Sequence, residues 1–229
     1  TGTVALCKWD RILAISPRNM PRGYAWLDTL AHEYVHLVLA RASGNRAPVW
    51  FHEGAAKLLE SAWRDQQRTD FIGPWAESLL GRALAEEKLV PFAKMHPSMA
   101  ALPSSELAAL AFAQVAWAVN LVFERGGEDA FRRAIEFMAE GVDSFLAVER
   151  ALGLDEPGGF EAAVTRYLSA QDFELRTNVA GIPLELDGAG ADQADMEGMA
   201  FDPVLRAHRA MGEHARIGDL LRRRGRPDA

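Results

Sequence analysis

The chain has 229 residues, with 49% hydrophobic and 25% charged residues, a single cysteine and a net charge of −7. This balance excludes disordered and collagen-like classes, and the lone Cys7 excludes a disulfide framework or a multi-cysteine zinc cluster. The acidic excess argues against nucleic acid as the main partner, and charge interrupting the apolar runs argues against a transmembrane segment.

In chain order, Thr3 to Ser16 is rich in Val, Ile, Leu and Trp and is expected to form a bent strand or tight hairpin, broken by Pro17, Pro21 and Gly23. Tyr24 to Arg41 is apolar on nearly all sides, without Gly or Pro, which predicts a buried helix. Ser43-Gly44-Asn45 ends it, and Pro48 precedes a second helix from Trp50 to Trp63. A third is predicted from Pro74 to Lys88, and the proline-interrupted stretch 91–103 is expected as loop. Ser104 or Ser105 caps a long apolar helix stopping at Gly126-Gly127. Shorter helices follow over Glu128–Glu140, Asp143–Leu152 and Gly159–Ala170.

These elements predict a mostly helical α+β domain over 1–175. A linker or irregular segment follows over 176–201, and a C-terminal helical segment over 202–229. The missing initiator methionine and the lack of a signal-peptide pattern before the first apolar run lead us to expect part of a longer protein, whose last predicted helix ends in the basic run Arg222-Arg223-Arg224. No signal-peptide pattern is visible, and the compartment is left open.

The first long helix carries His32-Glu33-Tyr34-Val35-His36. Two histidines at i and i+4 share one helix face and are able to offer two imidazole nitrogens to one metal ion. Glu33, rotated about 100° from His32, flanks that ion, where a base for an activated water is needed. With six His and eighteen Glu in the chain, an H-E-x-x-H arises by chance in roughly one such sequence in a hundred.

The second helix opens Pro48-Val49-Trp50-Phe51-His52-Glu53-Gly54-Ala55-Ala56, with sixteen residues between His36 and Glu53. Glu53 would complete a His-His-Glu set with a fourth position open, the pattern of a catalytic zinc. Gly54, Ala55 and Ala56 are expected to let this helix approach the first closely. Zinc-bound histidines hand their second nitrogen to a carboxylate or carbonyl. Asp28, one turn before His32, and Glu60, two turns after Glu53, are the candidates. Cys7 is read as a buried small hydrophobe.

The run Thr29 to His36 together with Pro48-x-Trp-Phe-x-Glu-Gly-Ala-Ala resembles the gluzincin metallopeptidases, and more narrowly the bacterial peptidase MA-like domains. The resemblance implies that His32, His36 and Glu53 hold Zn2+ and that Glu33 is the general base of peptide hydrolysis. It also implies a small N-terminal sheet whose strand, Val4 to Ile15, borders a cleft for an extended peptide. Such peptidases supply a Tyr or His for the oxyanion. This sequence has Phe112 where that tyrosine would be sought, leaving Gln114, Tyr24, His52 and His96 as candidates.

The expected function is zinc-dependent peptide hydrolysis. The alternatives are a non-catalytic metal-binding or scaffolding module that binds protein partners and a hydrolase of non-peptide substrates. The tail around Ile217-Gly218-x-x-Leu221 resembles the first helix of a tetratricopeptide repeat, which implies a protein partner for the C-terminal segment.

Overall fold

The computed structural model describes residues 4–8, 11–20, 23–64, 71–155, 157–177 and 184. Among them are six α-helices and one two-stranded antiparallel sheet, a mostly helical α+β fold. The predicted linker and C-terminal segment lie largely outside the described residues. The chain nevertheless stays attached past 175: the Arg176 amide donates to Ser78 Oγ, and Leu184 is buried in the core.

The N-terminal apolar segment forms a hairpin of β1 (Ala5–Lys8) and β2 (Arg11–Ala14), in register Ala5↔Ala14 to Lys8↔Arg11. The Ile15 amide donates to the Val4 carbonyl. In an antiparallel ladder the hydrogen-bonded pairs alternate, so the main-chain groups of Ala5 and Cys7 point away from β2, along the outer edge of β1.

The helices follow as α1 (Trp26–Ala42), α2 (Val49–Leu59), α3 (Pro74–Ala85), α4 (Ser105–Ala139), α5 (Ser144–Leu152) and α6 (Gly159–Ser169). Stretch 91–103 contains two short 3-10 turns. Helix starts follow local chemistry: Ser104 accepts from the Leu107 amide, and Asp143 from the Phe145 and Leu146 amides. The expected stop at Gly126-Gly127 is present: α4 is two helical stretches meeting at a kink, where Gly127 is non-helical with φ 64° and ψ −164°. Glycine alone adopts that combination readily.

The core is built around α4. Contrary to the expectation that charge breaks every apolar run, α4 is long and apolar enough to cross a bilayer, with mean hydropathy 1.6 over an 18-residue window. That window is 78% buried inside the protein, which is the environment its apolar surface meets here. α2 packs on α4 through Phe51, Ala55 and Leu58, all fully buried. Trp50 anchors its start among Phe92, Phe145 and Phe160.

Two expectations about helix contacts are corrected. Gly54 serves α4 and not α1: a Cβ there would stand 2.4 Å from the Val115 carbonyl oxygen and 2.8 Å from Val119 Cγ2. And α1 is not buried. Of its side chains only Leu39 is fully shielded, whereas Leu27, Leu30, Tyr34 and Val38 form an exposed stripe at i, i+3, i+7 and i+11. Among the described residues α1 is covered by α2 and the hairpin, with a smaller contact to α4, so its all-round apolar composition exceeds what these neighbours bury.

Candidate metal centre

The burial pattern of α2 sets the site. With Trp50, Phe51, Gly54, Ala55 and Leu58 turned inward, the 3.6-residue period turns Glu53, Lys57 and Glu60 the other way, toward α1. On α1, His32 and His36 face the same gap.

The Nε2 atoms of His32 and His36 lie 3.6 and 3.7 Å from a single oxygen, Glu53 Oε2. These separations exceed hydrogen-bond length. They approach the ~3.3 Å that separates two ligands of one tetrahedral zinc, which holds each at about 2.0–2.2 Å. Together His32, His36 and Glu53 are the one group of three metal-ligating side chains found among the described residues, with ligand atoms within 4.8 Å of one another. Two imidazoles and one carboxylate suit zinc and other borderline divalent cations.

The Nδ1 atoms point outward to different partners. His32 Nδ1 lies 3.0 Å from Glu60 Oε2, and Lys57 Nζ donates to the other oxygen, Glu60 Oε1, at 2.5 Å. His36 Nδ1 lies 3.4 Å from His52 Nδ1. Sequence reasoning misses Lys57, although its i, i+3 spacing to Glu60 is a readable signal.

Electrostatics favour positive charge at this point. Burial works against a charged His32, but Glu53 and Glu60 outweigh it and hold its pKa up at about 9. Burial dominates at His36 and pushes it down to about 4, against the pull of Glu53. Burial would raise Glu53 and Glu60, yet both fall below the ordinary carboxylate value: the adjacent His32 and His36 lower Glu53, and the His32 hydrogen bond together with Lys57 lowers Glu60.

Glu33 stands on the hairpin side of α1. Its carboxylate accepts from the Cys7 main-chain amide, and burial raises its pKa despite that bond and the nearby His32. A backbone donor leaves no residue-type signature, so the sequence carries no hint of it. The site therefore faces the outer edge of β1.

Other expected site residues are placed elsewhere. Asp28 does not reach His32. It is held by Trp63 Nε1 at 2.8 Å and by Arg64 Nη2 at 2.7 Å, and the Arg64 hydrogen bond, working against burial, lowers its pKa. This contact ties the start of α1 to the turn after α2. Asp28→Asn should therefore leave metal affinity unchanged and cost only about 0.5–1 kcal/mol, as for exposed ion pairs. Urea titration at neutral pH checks it, and the difference should fade as acid protonates Asp28.

Gln114 is buried, and both ends of its amide are taken by the Val90 main chain, at 3.0 and 2.9 Å. It pins the main chain at Val90 to α4. Phe112 packs against the core. The Tyr24 hydroxyl donates to the Ile15 carbonyl, holding the end of β2. His96 is exposed at the end of a 3-10 turn, and it is not part of the metal-ligating group.

No family model, curated protein or solved structure matches this chain.

Proposed function

We propose that the chain is a zinc-dependent peptidase of the gluzincin type. The carrying observation is the convergence of His32 Nε2, His36 Nε2 and Glu53 Oε2, with Glu33 beside them on an independent support. His32, His36 and Glu53 would hold the ion. Zinc held there would polarise a scissile carbonyl and make water a nucleophile at neutral pH.

Glu33 takes the proton of the attacking water and returns it to the leaving amine. The Cys7 amide fixes its orientation. Beyond the Cys7 amide, which Glu33 occupies, the outer edge of β1 supports an extended peptide as substrate, since such a chain pairs with a strand edge through main-chain hydrogen bonds.

The test is a library of fluorescence-quenched peptides. The protein should cleave members of it, lose the activity to a chelator and regain it with zinc. His36→Ala should lose both zinc, by elemental analysis, and activity. Stoichiometric zinc with no peptide cleaved would favour the non-catalytic binding module instead.

A further inference from the structure

The two histidines are supported unequally. His32 Nδ1 has a carboxylate, Glu60, 3.0 Å away, whereas among the described residues the partner of His36 Nδ1 is an imidazole, His52 Nδ1, at 3.4 Å. We propose that His52 is a positioning residue for the metal centre, accepting the Nδ1 proton of His36 and so fixing His36 in the tautomer that leaves Nε2 free to ligate. The inference rests on the reading of His36 as a ligand through Nε2.

The argument is one of proton bookkeeping. A neutral imidazole carries one N–H, so a histidine that ligates through Nε2 keeps its proton on Nδ1. His36 then has a donor that needs an acceptor in a half-buried place. His52 Nδ1 is the atom placed to accept, which requires the His52 proton to sit on its Nε2. The reverse arrangement, with His52 Nδ1–H donating to His36 Nδ1, puts the His36 proton on Nε2 and blocks ligation. One hydrogen bond therefore has two directions, and only one of them permits metal binding.

Placement gives His52 this role. It precedes Glu53 on α2, whose register is locked by the buried Trp50, Phe51 and Gly54. The rings of His36 and His52 lie 5.6 Å apart between centroids and 33° from parallel, so the contact is edge-on through nitrogen. Bonds of this kind typically change metal affinity by about 10–100-fold when removed.

The substitutions exploit side-chain length. Asn places its Oδ1 at the same bond distance from the backbone as His Nδ1, so His52→Asn keeps an acceptor there. His52→Leu puts a methyl group at that position. Zinc affinity measured by competition with a chromophoric chelator should fall about 10–100-fold in His52→Leu and stay within about threefold of wild type in His52→Asn, where the acceptor is retained.

In the zinc-loaded wild type, long-range 1H–15N spectra should show His52 protonated at Nε2. That measurement stands if the Leu variant fails to fold. Leu and wild-type proteins of equal affinity, an Asn variant as weak as a folded Leu variant, or His52 protonated at Nδ1 would each overturn the role of His52 while leaving the metal centre intact. A wild-type protein that binds no zinc would instead remove the centre itself.

Discussion

Glu33→Gln should retain one zinc per chain and lose peptide hydrolysis by about 10²–10⁴-fold, the span that a positioned general base contributes. The two effects separate because Glu33 flanks the ligand set without belonging to it and has its own support. His32 and His36 face Glu53 on α2, while Glu33 is held by the hairpin through the Cys7 amide. Glutamine has the shape of glutamate and its amide oxygen still accepts from Cys7, so the hairpin contact survives. What disappears is the capacity to take a proton. Elemental analysis and the peptide assay on the same preparation check both halves. Full activity in this variant would remove the assigned mechanism, and loss of zinc would mean that Glu33 is part of the ligand set.

Gly54→Ala should destabilise the fold and weaken the metal centre together. In an exposed helix the change would be favourable by about 1 kcal/mol. Here the new Cβ would stand 2.4 Å from the Val115 carbonyl oxygen, an atom fixed by the hydrogen bonding of α4. α2 and α4 must separate by roughly 1 Å to restore van der Waals contact, loosening the seat of Phe51, Ala55 and Leu58. Overpacking of this kind costs about 1–3 kcal/mol, and a rigid backbone neighbour puts Gly54 at the upper end. A net loss of about 2 kcal/mol is expected by urea denaturation. Glu53 is the adjacent residue, so its carboxylate shifts with the helix and zinc affinity falls as well. A Gly54→Ala protein as stable as wild type would show that the two helices have slack at their crossing.

Much of the helical layout is legible locally. Five of the six helices start at Pro48, Gly73-Pro74, Ser104, Asp143 and Gly158-Gly159, because caps and breakers act within a few residues of themselves. Gly127 is legible as an interruption, and its non-helical backbone divides α4 there, whereas the close approach of Ala130 and Leu152 to Gly126 is a tertiary contact. The exposed stripe of α1 is opposite to its sequence reading, since apolar composition states what a helix is able to bury and not how many neighbours it has.

The candidate site divides the same way. The four-residue spacing of His32 and His36 places both imidazoles on one face of any helix that forms there. The 100° step per residue sets Glu33 aside from them. Those relations are properties of the α-helix, and the order of residues along the chain is enough to establish them. Packing between elements set every pairing across the gap: Glu53 to both Nε2 atoms, Glu60 and not Asp28 to His32, His52 to His36, the Cys7 amide to Glu33, and Gln114 to Val90. The pairings made by α2 depend on the rotation of that helix about its own axis. Burial of Trp50, Phe51 and Leu58 and the close approach of Gly54 to α4 set that rotation, through contacts with residues sixty or more positions away in the chain.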